Sequence, residues 1–109
     1  MNLAFGTDAP FAFGNFHHSV MNEARALRHA GVPHEAILRM ATEGSATALG
    51  INDHVGTLRP GMRADCAFLD SDPLADIEAL STVSLVVKEG RIVYQRDKAS
   101  AGRRPTDAC

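Results

Sequence analysis

The sequence predicts an α/β fold in which one short buried strand and two helices precede a small antiparallel sheet. The chain opens on an apolar stretch that ends in Gly6-Thr7-Asp8, a carboxylate at the position where buried strands of α/β proteins carry their chemistry. Apolar residues then recur at helical spacing over residues 17–30 and again after Pro33. Later, β-branched runs at 83–88 and 91–95 flank Glu-Gly, which is typical of a hairpin.

The first half of the chain is assigned a strand followed by helices. Residues 2–7 predict a buried strand with Asp8 at its C-terminal tip. The first helix is predicted over 17–30, where one apolar stripe is formed by Val20, Ala24, Leu27 and Ala30, and Gly31 ends it. Pro33 is predicted as the first residue of a second helix, whose buried side comprises Ala36, Ile37, Met40 and Ala41. A short helical turn closed by Gly50 follows at 45–50.

The second half of the chain is predicted to form small strands and turns. Strands are expected at 56–58, 64–70, 83–88 and 91–95. Arg59-Pro60-Gly61 is a turn signal, 74–80 favours one helical turn, and Glu89-Gly90 is a hairpin turn with Gly90 at positive φ. The polar residues 96–109 show no periodicity and predict a disordered tail.

Length and composition limit the function classes. The chain has 109 residues and a formal net charge of −2, which predicts one domain and argues against a nucleic-acid or anionic membrane surface. No apolar run approaches the ~20 residues of a membrane span, and no signal peptide is recognised. Cys66 lies in an apolar segment and is expected in the core, and Cys109 is terminal, so we expect a reducing, cytoplasmic setting.

One ordered series of short motifs runs along the chain: Gly6-Thr7-Asp8, Met40-Ala41-Thr42, Ala46-Thr-Ala-Leu-Gly50, Gly56-Thr-Leu-Arg-Pro-Gly61, Ala64-Asp65, Asp72-Pro-Leu74 and Val87-Lys-Glu-Gly90. The series resembles the C-terminal portion of the metal-dependent amidohydrolase superfamily, and most closely its imidazolonepropionase- and prolidase-like branch. The resemblance covers about residues 3–95.

The resemblance implies an α/β fragment. Enzymes of this superfamily are (β/α)₈ barrels with a small β-sandwich built from both chain ends, and a barrel needs roughly 250 residues. Residues 1–50 would be the last strand and helices of the barrel, 51–95 part of the β-sandwich, and 96–109 the tail. The implied reaction is hydrolysis of C–N bonds in amides, cyclic amides, deaminase substrates or dipeptides, with one or two divalent metals, commonly zinc.

Asp8 matches the aspartate at the end of the last barrel strand, so the resemblance implies that it is a metal ligand and a catalytic proton acceptor. By residue type alone, the favoured interpretation of Asp8 is a helix N-cap or turn aspartate, since aspartate is common at both positions. His17 and His18 are adjacent and point about 100° apart on a helix, which makes a poor chelate. They read as solvated or capping residues, but the resemblance implies that one of them contacts substrate.

The other polar residues are interpreted as structural. His29, His34 and His54 are expected on the surface. Asp65 opens a strand after a Pro-Gly turn, and the resemblance implies that it accepts hydrogen bonds from nearby backbone N–H groups.

The resemblance places the remaining metal ligands before Met1, namely a His-x-His motif, a bridging lysine or glutamate, and two later histidines. Catalytic zinc typically has three protein ligands, and this chain offers one. We therefore expect it to be inactive alone and to need a complementary N-terminal part, which would complete the metal site and the site for a small-molecule substrate. The alternative is a non-catalytic α+β module that self-associates or binds a partner chain through an exposed strand edge.

Overall fold

The computed structural model of the chain describes residues 3–8 and 16–97, except the side chains of residues 16–18. The helical elements are α1 (Phe16–His29), α2 (His34–Arg39), a π-helical turn (Met40–Gly44), α3 (Ser45–Ala48) and a 3₁₀ helix (Ile77–Ser81). The strands are β1 (Cys66–Leu69), β2 (Val83–Lys88) and β3 (Arg91–Gln95). The order confirms a small α/β fold in which helices precede an antiparallel sheet. The predicted tail lies outside the described residues from 98 onward.

The end of α1 follows its sequence signal. Gly31 has φ +94°; its N–H donates to Arg28 O and the Val32 N–H donates to Leu27 O, both at 3.0 Å. This pair of bonds is a Schellman motif, which satisfies carbonyls that the helix itself leaves free. The predicted role of Gly31 is therefore confirmed.

The second helix begins one residue later than predicted. Pro33 has φ −61° and ψ 150°, so it occupies the N-cap and not the first helical position. Its carbonyl accepts the Ile37 N–H at 3.1 Å, and Ile37 is completely buried. The other residues of the predicted buried side, Ala36, Met40 and Ala41, are half-buried.

The sheet has the order β1-β2-β3, with both pairs antiparallel. Glu89 and Gly90 have φ +52° and +78° and connect the paired residues Lys88 and Arg91. Positive φ at both central residues is the type I′ hairpin that matches the twist of the strands. The predicted hairpin is confirmed. The register shifts after Val86, which leaves Val93 as an extra residue on β3.

Two predicted strands are wrong. Residues 3–8 have no strand assignment, and the Phe5 N–H donates to Met40 O, a helix carbonyl, at 3.2 Å. Residues 56–58 lie in a bend and an irregular stretch. There Gly56 has φ +100°, and a Cβ atom at this position would lie only 2.8 Å from Ala46 Cβ, so close packing against the helix replaces strand pairing. The predicted strand 64–70 is confirmed only over 66–69.

The core lies where α1, α2 and the 3₁₀ helix meet. Ala24, Ile37 and Ile77 form the buried cluster. Partly buried side chains pack around it, namely Phe5, Leu27, Val32, Leu38 and Leu80. Cys66, predicted in the core, is a free thiol and is only half-buried.

Two polar contacts fasten the 3₁₀ helix to the helical half. The Arg25 guanidinium donates to both carboxylate oxygens of Glu78, at 2.6 and 2.8 Å. The Nδ1 atom of His34 accepts the Ile77 N–H at 3.1 Å. His34 is therefore half-buried, and its predicted surface position is wrong: the backbone N–H at the start of the 3₁₀ helix needs an acceptor, and the imidazole provides it.

The Arg25–Glu78 pair predicts a pH-dependent stability. The hydrogen bond from Arg25, helped by its charge and opposed by burial, lowers the pKa of Glu78 below its usual value. The pair therefore stabilises the fold at pH values above the pKa of Glu78 in the unfolded chain, about 4.3. This stabilisation is lost as the pH falls through the lower pKa of Glu78 in the folded chain. Both side chains are about half exposed, at 50% and 47%, so we expect only ~0.5 kcal/mol.

The measurement is the free energy of unfolding of wild type and Glu78→Gln, from urea titrations between about pH 6 and about pH 2.5. The difference should shrink as the pH falls. In an Arg25→Met background, Glu78→Gln should have little effect at any pH. A difference that stays constant with pH, or that persists without Arg25, contradicts the prediction.

No helix in the described ranges 3–8 and 16–97 is long and apolar enough to cross a membrane.

Candidate functional site

The segment of residues 3–8, which carries Asp8, is anchored on the π-helical turn. The Phe5 N–H donates to Met40 O and to Ser45 Oγ, each at 3.2 Å. Ser45 Oγ donates in turn to Met40 O at 2.7 Å. The Phe5 side chain packs against the core cluster, so both its backbone and its ring hold the segment to the helices.

Gly44 allows the segment to approach the helix closely. A Cβ atom on Gly44 would overlap Leu3 O and lie 3.2 Å from Arg39 O. Real Cβ atoms do not approach backbone oxygens so closely, so an alanine at this position would displace the segment. The backbone of Leu3 therefore crosses the π-helical turn only because residue 44 has no side chain.

Asp8 ends the described part of this segment. It is exposed and has φ +52°, a left-handed conformation that aspartate adopts more readily than most residues. The carboxylate is thus accessible to a ligand, as a metal-binding or catalytic role requires. The predicted roles of Asp8 as metal ligand and catalytic residue stay predictions.

The described residues do not fit a complete metal centre. Within 3–8 and 16–97, no group of three or more His, Cys, Asp or Glu side chains could hold a metal ion. Asp8 contributes a single carboxylate, whereas catalytic zinc typically takes three protein ligands. A metal at Asp8 would need donors from outside the described residues.

The predicted histidines divide into three groups. His17 and His18 belong to the first turn of α1, but their side chains lie outside the described part of the chain, so their predicted role in substrate binding stays a prediction. His29 and His54 are exposed, as predicted. The structure brings His34 to Ile77 and not to Asp8.

Asp65 has the structural role expected of it. Its Oδ1 atom accepts the Glu89 N–H at 2.7 Å, and the neighbouring Ala64 O accepts the Gly90 N–H at 3.0 Å. The two bonds satisfy both N–H groups of the hairpin turn. Asp65 therefore fixes the β2–β3 turn against the residues that lead into β1.

A groove of about 410 Å³ lies beside the anchored segment. Its lining combines apolar and small residues with one ion pair, and comprises Leu3, Val32, Ala36, Arg39, Met40, Glu43, Gly44 and Thr47. Arg39 Nη1 and Glu43 Oε2, four residues apart in sequence, are separated by 4.0 Å. The groove thus follows the contact between residue 3 and the π-helical turn.

Sequence reasoning missed the anchoring residues Gly44 and Ser45. Their only signal was a run of small residues, Gly44-Ser45-Ala46, inside an otherwise helical stretch. Such a run admits close backbone approach, but the sequence does not say what approaches.

Comparison with known proteins identifies the family. A model described as "Amidohydrolase family" matches residues 1–94. The chain belongs to the amidohydrolase family. It is 42% identical to the imidazolonepropionase of Shewanella loihica over 66 residues, and the alignment covers 58% of this chain and 16% of that protein. It is 31% identical to the 5-methylthioadenosine/S-adenosylhomocysteine deaminase of Acetivibrio thermocellus, over 87% of this chain and 26% of that protein.

Solved structures of amidohydrolases show the same fold. A putative prolidase from Bifidobacterium longum superposes with a TM-score of 0.78 and 28% identity, over 99% of this chain and 27% of that one. A Xaa-Pro dipeptidase with bound methionine in its active site gives 0.76 and 30% identity, over 85% and 22%. The chain thus spans about a quarter or less of these relatives. The amidohydrolase family is generally metal-dependent.

Proposed function

We propose that this chain supplies the C-terminal part of a metal-dependent amidohydrolase that hydrolyses carbon–nitrogen bonds in amides, cyclic amides or dipeptides. The observation that carries the proposal is the family match over residues 1–94, together with relatives of which the chain spans only about a quarter. In this proposal residues 1–50 form the end of a (β/α)₈ barrel and residues 51–95 part of its β-sandwich.

The distribution of apolar side chains supports a structure that other polypeptide completes. Among the described residues, the buried apolar side chains are few and mostly small: Ala24, Ile37, Ala46, Ile77 and Ala79. Large apolar side chains are exposed along the same part of the chain, including Leu49, Leu58, Leu74, Ile92 and Val93. These exposed side chains are available for contact with further polypeptide. The remainder of a barrel and sandwich would cover it.

In the proposed enzyme, Asp8 is the catalytic carboxylate and one ligand of a divalent metal, for which zinc is the proposed identity. The other ligands would come from the complementary part, and His17 or His18 would contact the small-molecule substrate. The proposal includes a cytoplasmic location, inferred from the use of cysteine.

The substrate is proposed only as a class. The relatives named above are an imidazolonepropionase, a deaminase and two prolidase-type proteins. Their names point to three different substrate classes, and the described residues do not distinguish between these classes.

The test is reconstitution. With zinc alone, the purified chain should hydrolyse neither imidazolonepropionate, 5-methylthioadenosine nor an Xaa-Pro dipeptide. Co-expression with the N-terminal part of the Bifidobacterium longum prolidase, ending where its match to this chain begins, should restore turnover of at least one of the three. Asp8→Asn should return that turnover to background, because the amide lacks the negative charge of the carboxylate.

The matched control is Asp53→Asn, which removes a carboxylate from another exposed position and should leave turnover unchanged. Turnover by the chain alone would contradict the proposal that it is one part of an enzyme. Full turnover by Asp8→Asn in the reconstituted enzyme would contradict the role of Asp8.

The alternative of a non-catalytic module that pairs through a strand edge is not favoured. The relatives named above carry the names of enzymes, and the matching family model is that of amidohydrolases. In addition, the extra residue Val93 interrupts the register of the edge strand β3, and such bulges hinder edge-to-edge pairing. A second copy of this chain is therefore a weaker candidate partner than a complementary chain.

A further inference from the structure

We infer that Ser45 is a positioning residue, which sets the location of Asp8 by binding the backbone of Phe5. The inference rests on the proposed function for the role of Asp8. The contact itself is independent of metal and substrate, so it is testable on the full chain.

The Ser45 hydroxyl makes two hydrogen bonds of opposite direction. It donates to Met40 O at 2.7 Å and accepts the Phe5 N–H at 3.2 Å. Met40 O also accepts the Phe5 N–H at 3.2 Å. The Phe5 N–H is therefore shared between two acceptors that are bonded to each other, and this closed arrangement fixes their mutual positions.

The π-helical turn places these two acceptors together. The backbone N–H of Ser45 donates to Met40 O, five residues back, and also to Thr42 O, three residues back. The wider turn brings the Ser45 side chain beside the Met40 carbonyl, and Gly44 leaves room for Leu3 next to it. π-helical turns are rare and occur frequently at functional sites.

Asp8 lies three residues after Phe5, a reach of at most about 10 Å even in extended chain. A shift at Phe5 is therefore passed on to Asp8 over a short tether. Catalytic and metal-binding carboxylates must be held within about 0.5 Å, and a misplacement of 1 Å costs on the order of 100-fold in rate. An anchor at Phe5 thus has a function beyond stabilising the helix.

The experiment is amide hydrogen exchange by NMR on the ¹⁵N-labelled full chain, without metal or substrate. Ser45→Thr keeps the hydroxyl. Ser45→Val introduces a side chain of nearly the same volume as threonine but without the hydroxyl. We expect the Phe5 amide to exchange about fivefold faster in the Val variant than in the Thr variant. The Asp8 amide resonance should shift in the Val variant and return towards wild type in the Thr variant.

Two internal amides separate positioning from general stabilisation. Ile37 N–H donates to Pro33 O, and Leu49 N–H donates to Ser45 O in the helix that follows the π-helical turn. A merely structural role for Ser45 would accelerate both of these amides as much as Phe5, and that outcome overturns the inference.

Ser81→Ala is the matched control, because Ser81 Oγ donates to Glu78 O at 2.7 Å, a similar bond elsewhere in the fold. It should leave the Phe5 and Asp8 amides unchanged. Equal Phe5 exchange in the Thr and Val variants overturns the inference. A wild-type Phe5 amide that exchanges as fast as in an unstructured peptide also overturns it, whatever the variants do. None of these outcomes depends on restored hydrolysis.

Discussion

Replacing Gly56 by alanine is expected to destabilise the chain by ~3 kcal/mol. Gly56 has φ +100°, which an L side chain adopts only with strain. A Cβ atom there would lie 2.8 Å from Ala46 Cβ, 3.2 Å from Glu43 Cα and 3.2 Å from Thr42 O. Two of these atoms belong to the helix backbone and cannot rotate away. Strain of about 1–3 kcal/mol and overpacking of similar size therefore add.

The measurement is the free energy of unfolding from urea titration followed by circular dichroism. The control is Gly61→Ala, which imposes comparable strain at φ +89° but would contact no atom within 4 Å. It should cost only about 1 kcal/mol, so the difference between the two variants isolates the contact with the helix. Equal costs at Gly56 and Gly61 would show that the close approach of Gly56 to the π-helical turn and α3 has no energetic consequence.

Features that depend on local backbone conformation follow from the sequence, whereas features that depend on long-range contacts do not. The hairpin at Glu89-Gly90 and the end of α1 at Gly31 were predicted, because each depends on the backbone freedom of one or two residues within a single turn. The predicted strand at 56–58 was wrong because Gly56 serves a contact with Ala46, ten residues away in sequence. No pattern within a short window encodes such a contact.

The segment that carries Asp8 shows the same limit more sharply. Its apolar composition predicts burial, which holds only in part: Phe5 is partly buried against the core, whereas Leu3 is 48% exposed. The hydrogen bonds of the segment were not predictable, because the Phe5 N–H binds the carbonyl of Met40 and the hydroxyl of Ser45, far along the chain. A buried parallel strand would require neighbouring strands, and among the described residues this segment has helices beside it instead.

The candidate site was predictable only from the ordered series of motifs, which points to Asp8. The motifs that follow Asp8 in order are what indicate a site role for it, since an aspartate after Gly-Thr is otherwise an ordinary turn residue. His34 shows the reverse error. Its place just after the helix break at Gly31 favours an exposed position, yet the long-range partner Ile77 gives its ring a structural role.

Replacing Ile37 by alanine is expected to cost ~3 kcal/mol, within the usual range of 2–5 for a buried isoleucine. Ile37 is 0% exposed and is the largest fully buried side chain in the described part of the molecule. Its cluster partners are Ala24 and Ile77. The side chain of Ala24 is too small to fill the space that truncation of Ile37 would open. Because α1, α2 and the 3₁₀ helix all meet at this cluster, the resulting cavity would weaken each of their contacts.

The control for Ile37 is Ile92→Ala on β3, where the side chain is 63% exposed. This change removes the same atoms from a site that is mostly in water, so its cost should stay below about 1 kcal/mol. Both variants are compared by their urea midpoints at constant slope, which excludes a change in the unfolded state as the cause. A cost for Ile92→Ala equal to that of Ile37→Ala would mean that the sheet face is buried in solution. The protein would then be held together by a contact through β3 as much as by the cluster around Ile37.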